Sequence, residues 1–182
     1  MSEHVAIVFL RRLDMLFLDC DFYERLFTEQ SKVNTYNREF PFSVSRIQVC
    51  LEYHILMTLT RLIEGEGKLT LLSVRKVLCP QGLSKQQDQM RQSIQEKIHN
   101  SSLVEWRNRK GAHFELDSSL SSIEINPNIS TDLIKDLVDE VKFFVSDMMR
   151  SSGKFENYFE PDRRTGSDRD FERFIKRLVN DF

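Results

Sequence analysis

The sequence predicts an all-α fold, an up-and-down bundle of four to five main helices with one short helix. Two observations carry that expectation. Glycine and proline are scarce, 6 and 4 of 182 residues, and they gather at "REFPFS", "EGEGK", "CPQG" and "INPN", which cut the chain into pieces of helix length. Within those pieces apolar residues return every three or four positions, and none alternates as a strand would.

The elements follow in order. "MSEHVAIVFLRRLDMLFLDCDF" opens on an apolar run, but Arg11, Arg12, Asp14 and Asp19 interrupt it before a membrane span or export signal forms. As a helix it aligns Val5, Phe9, Leu13, Leu16, Cys20, Tyr23 and Phe27 on one stripe, which is core. A second helix is expected from Ser45 to Glu64 on Ile47, Leu51, Ile55, Leu59 and Leu62, and "TLLSVRKVL" supplies the short one. A long helix begins after Ser84, whose spacing to Gln87 is that of a capping box, with Met90, Ile94 and Ile98 on its apolar side. Ser102 and Glu105 repeat the capping spacing, so the chain either continues this helix or restarts it; the continuous helix is the expectation adopted. Asp132 to Met149, capped by Ser130 or Thr131, turns Ile134, Leu137, Val141, Phe144 and Met148 inward. "SSGKFENYFEPDRRTGSD" has loop composition, and a terminal amphipathic helix with Phe171, Phe174, Ile175, Leu178 and Phe182 would pack on the bundle or on a second subunit. The expected organisation is a single domain over 1–182, with the bundle in 1–150 and the loop and terminal helix in 151–182.

Composition narrows function by exclusion. A formal charge of −2 draws in no nucleic acid as a whole, so any such contact must be local or arise on dimerisation. Cys20, Cys50 and Cys79 form no CxxC pair and read as reduced thiols of a cytoplasmic protein. His4, His54 and His99 fall on separate helices, with no metal-ligand spacing, so no metal or cofactor is expected. Neither a Gly-rich phosphate loop nor a nucleophile elbow is present.

The chemistry-bearing stretch is "WRNRKGAHFELD", residues 106–117. Histidine is the side chain whose unperturbed pKa suits removal of a proton from a ribose 2′-hydroxyl, which makes His113 a general-base candidate. A guanidinium stays charged and holds two phosphoryl oxygens at once, which suits Arg107. On a regular helix, six residues turn the chain through about 240° and rise about 9 Å, so Arg107 and His113 do not share a face. Arg109, four residues before His113, does share it and is the rival for the phosphate. Asn108 is placed to orient the histidine or the phosphate by its amide, and Lys110 is a general phosphate contact. The plain alternative is that "RNRK" only complements a helix dipole.

The pattern of Arg107, the polar Asn108 and His113 after a five-residue gap resembles the signature of the HEPN superfamily of helical-bundle ribonucleases. Upstream, "LTRLIEGEGKLTLLSVRKVL" is similar to the helix end and short helix of the abortive-infection HEPN branch, found in phage-defence and toxin proteins. The likeness spans about residues 45–117. Two departures stand out: Arg61-Leu62-Ile63-Glu64 replaces an "RLFD"-like helix end, and Glu115 occupies the position of a tyrosine used in adenylylation-regulated members. The resemblance implies metal-independent RNA cleavage to 2′,3′-cyclic phosphate and 5′-hydroxyl ends, with Arg107, Asn108 and His113 catalytic; Arg109 and Lys110 stay the RNA-binding candidates on geometry and charge. It also implies a homodimer in which two motifs converge, and a toxin or effector restrained by a nucleotidyltransferase-type or other antitoxin. A non-catalytic helical binding domain of the same build is the competing expectation.

Overall fold

The computed structural model describes residues 2–65, 67–104 and 129–153. Over these the chain is helical with no strand: α1 (Ser2–Phe27), α2 (Gln30–Glu39), α3 (Pro41–Glu64), α4 (Leu71–Leu78), α5 (Lys85–Asn100) and α6 (Thr131–Ser151). The all-α bundle is therefore as expected, with four long helices and two short ones. No helix among the described residues is long and apolar enough to cross a membrane.

Ion pairs and hydrogen bonds across the seams fix the topology. Lys142 pairs with Asp14 at 2.7 Å, and Lys135 with Asp21 at 2.5 Å and Glu24 at 2.6 Å, so α6 runs antiparallel to α1. Gln87 donates to Asp147 at 2.9 Å and Lys97 pairs with Glu140, so α5 is antiparallel to α6. Tyr23 bonds Glu52, while His54 reaches Asp19 at 3.3 Å, so α3 is antiparallel to α1. The layer order is α3, α1, α6, α5, with α4 laid against α1, α3 and α6.

The core is one contiguous cluster built on α1 and α6. Phe9, Leu13, Leu16 and Cys20 of the expected stripe are fully buried, joined by Ala6 and Leu10. From α6, Ile134, Leu137, Val141, Phe144 and Met148 are all buried. The short α4 is held by a reciprocal capping box between Thr70 and Ser73, and α5 by the one between Ser84 and Gln87.

Three expectations are corrected. Helix α2 lies in a stretch with no apolar stripe; "QSKVNTYNRE" is polar almost all round and is held by burial of Tyr36 against its neighbours rather than by propensity. Helix α3 begins at Pro41, not Ser45, because proline at the first helical position has no N–H to leave unsatisfied. Ile47 is half exposed, not core. An i, i+4 series drifts by about 40° at each step, so a stripe that faces inward at Leu59 has rotated by about 120° at Ile47.

The Lys142–Asp14 pair is the one ion pair of the described residues with both side chains near-fully buried, 7% and 10% exposed. Lys142→Met alone removes the 2.7 Å partner of the buried Asp14 carboxyl and is expected to cost about 3–5 kcal/mol, more than Lys142→Met with Asp14→Leu. Chemical denaturation of both variants reads this; equal destabilisation in the two would show that the pair is not what the site depends on.

Candidate functional site

Arg107, Asn108, Arg109, Lys110 and His113 lie outside the described residues, as does the terminal segment with Phe171, Phe174, Ile175, Leu178 and Phe182. The structure does fix the frame on either side of the motif. Helix α5 stops at Asn100, Ser101 and Ser102 form a turn, and helix resumes at Leu103. The expected continuous helix is thus overturned, and the motif does not belong to α5. The reason is core packing. On an unbroken helix Leu103 would point about 140° away from the Ile98 face. Ser102 takes a left-handed conformation, φ 60°, and Leu103 is fully buried. The buried Ser101 hydroxyl donates to the Ile98 carbonyl at 2.8 Å and helps close the helix end.

Because α5 and α6 are antiparallel, the chain leaves the described bundle at Val104 and returns at Ile129 at one and the same end. The C-terminal half of α1, the N-terminal half of α3 and α2 lie at that end too, since Tyr23 meets Gln48 and Glu52 there. Arg61 does not. It is exposed in the last turn of α3, at the opposite end, and fits the plain reading of a cation at a helix C-terminus. Gly65 follows it closely: a Cβ there would collide with the Arg61 carbonyl, so the break after α3 needs glycine.

The end that carries Val104 and Ile129 is rich in titratable groups. Gln48 Nε2 donates to both Tyr23 Oη, at 3.0 Å, and Glu52 Oε1, at 3.1 Å, while the Tyr23 hydroxyl donates to the same carboxylate. Burial raises the Glu52 pKa against the opposing pull of these donors, and burial with the Glu52 hydrogen bond raises that of Tyr23. Asp19 is likewise raised by burial, with His54 opposing. Lys135 loses water to burial, but Asp21 and Glu24 more than offset this and hold it charged, with its ammonium 5.3 Å from the Phe17 ring centre. Cys20 is pushed up to about 12 by burial, which leaves it a thiol at neutral pH and no nucleophile.

These groups tie helices together; they are no metal centre. Among the described residues no group of three or more His, Cys, Asp or Glu is placed to hold a metal ion. His4 and His99 are exposed, and His54 pairs with Asp19. The sequence reading missed this polar seam, although Glu52, four residues from Gln48 on the apolar second helix, is a signal that one existed. No protein-family model matches the chain, and comparison with curated proteins and with solved structures gives no match either.

Two outcomes are expected. Ser102→Gly relieves the left-handed strain and should raise stability by up to about 1 kcal/mol in thermal or urea unfolding; a loss would mean the serine side chain is required in that turn. For Glu52, a carboxyl whose folded pKa is raised binds more protons folded than unfolded, so its contribution is present below the ordinary carboxyl pKa and is lost as pH rises through the folded value. Glu52→Gln should therefore gain stability relative to wild type as pH goes from about 4 to 7. A constant difference across that range would remove the raised pKa.

Proposed function

We propose that this chain is a metal-independent endoribonuclease of the HEPN type, acting as a homodimer and serving as toxin or effector in a bacterial phage-defence or toxin-antitoxin module. The observation that carries the reading is the Arg107, Asn108, His113 spacing within an all-α bundle. The bundle supports it in one respect. Leu103, four residues before Arg107, is locked into the core, and the chain is anchored again at Ile129, which packs against that core. The segment that carries the motif thus departs from and rejoins the described bundle at the same end.

In this reading His113 takes the proton of a ribose 2′-hydroxyl as its oxygen bonds to the adjacent phosphorus. The bond from phosphorus to the 5′-oxygen breaks, and that oxygen leaves with a proton from the protonated His113 of the second copy, the same side chain serving as base in one copy and acid in the other. Arg107 holds the charge that develops on the phosphoryl oxygens, Asn108 orients, and Arg109 and Lys110 contact neighbouring phosphates. Two motifs meeting across a dimer would place an arginine and a histidine on opposite sides of one phosphate, which one helix cannot do for residues six apart.

A second reading, a non-catalytic binding domain, is favoured by Phe42, 72% exposed, and Ile47, 50% exposed, on the part of α3 that reaches past the core. Expression of wild type and His113→Ala in a bacterial host separates the two. The ribonuclease reading expects growth arrest and fragmented RNA with wild type only. Equal growth and equal RNA integrity would remove the catalytic assignment and leave the binding domain.

A further inference from the structure

At the bundle end away from Val104 and Ile129, a cleft of about 560 Å³ opens between the last turn of α4 and the first turn of α5. Arg75 and Lys76 line it from α4, Lys85 from α5, and Pro80 and Leu83 supply an apolar wall. Its single acid, Asp88, is already engaged: Arg91 Nε donates to one oxygen at 2.9 Å and Gln92 Nε2 to the other at 3.0 Å. Arg75, Lys76 and Lys85 have no carboxylate partner among the described residues. The cations of the helix seams contrast with this, since Lys97, Lys135 and Lys142 are each paired.

Three like charges gathered around one concavity, against the engaged Asp88 in its lining and Asp147 near Cys79, leave an excess of positive charge there in a chain whose formal charge is −2. An excess of that kind is offset by an anion. The volume is that of a small-molecule site, and the mixed lining calls for a ligand with both a charged and an apolar part. Gly82, at φ 107° with open space where a side chain would project, leaves the mouth of the cleft clear. Covalent chemistry is not indicated, because burial and the nearby Asp147 raise the pKa of the adjacent Cys79 thiol.

We propose that this cleft binds a small, multiply charged anion of the phosphate-ester class, its phosphoryl oxygens on Arg75, Lys76 and Lys85 and its organic part against Pro80 and Leu83. The site is independent of the ribonuclease reading and is tested without any RNA-cleavage assay. The full chain is titrated with inorganic phosphate and with phenyl phosphate while amide shifts are followed by NMR. Phenyl phosphate should saturate one site, perturb residues 75–88, and bind about five- to tenfold tighter than inorganic phosphate because of the apolar wall. Lys76→Gln with Lys85→Gln, both exposed, should weaken it about tenfold or more. A control of equal charge change, Arg46→Gln with Lys68→Gln, should leave it as in wild type. Binding that never saturates, equal loss in the control, or shifts centred elsewhere overturns the proposal. So does a single-stranded RNA that saturates residues 75–88 when phenyl phosphate does not, which would make the cleft an RNA surface.

Discussion

The bundle depends on an ion pair buried in its central seam. Lys142 and Asp14 meet at 2.7 Å between α6 and α1, both near-fully buried. Sliding either helix by one turn would strand one of the two charges in an apolar interior, a penalty far larger than the loss of a few packing contacts. Two turns further along, Lys135 repeats the arrangement with Asp21 and Glu24. The pairs thus act on register, and the apolar cluster of α1 and α6 supplies the stability. With that seam set, α3 is placed on the outer side of α1 by the Tyr23, Gln48 and Glu52 bonds, and α5 on the outer side of α6 by Gln87 and Lys97.

Antiparallel helices sort the chemistry of the chain to the two ends of the bundle. One end holds the raised carboxyls, the charged Lys135 and the points where the chain departs for and returns from the Arg107 to His113 stretch. The other holds Arg61, the glycine break after α3 and the basic cleft around Lys76 and Lys85. Between the two ends, the described seams are occupied by apolar packing and by the ion pairs that hold the helices together.

What the sequence made legible follows from where periodicity is strong. The inward residues of α1 and α6, and the caps at Ser84 and Ser130, are readable because burial and orphan N–H groups each demand particular residues at particular spacings. Helix α2 was not readable, since Tyr36 alone anchors it firmly and tertiary contact decides it. The turn at Ser102 departs from the continuous helix; its conformation answers to the burial of Leu103, which no local pattern shows. Asp14 and Lys142 each stand inside an apolar helix, and only the packing of α1 on α6 reveals that one charge accounts for the other. For the motif, residue types and spacing are legible, and Arg107 to His113 lie outside the described residues.

The most direct test is end-group analysis of RNA incubated with the purified chain in the presence of a metal chelator. The account predicts cleavage that persists without metal and leaves 2′,3′-cyclic phosphate and 5′-hydroxyl ends. Intact RNA, or cleavage that requires a divalent cation and leaves 5′-phosphate ends, would contradict it.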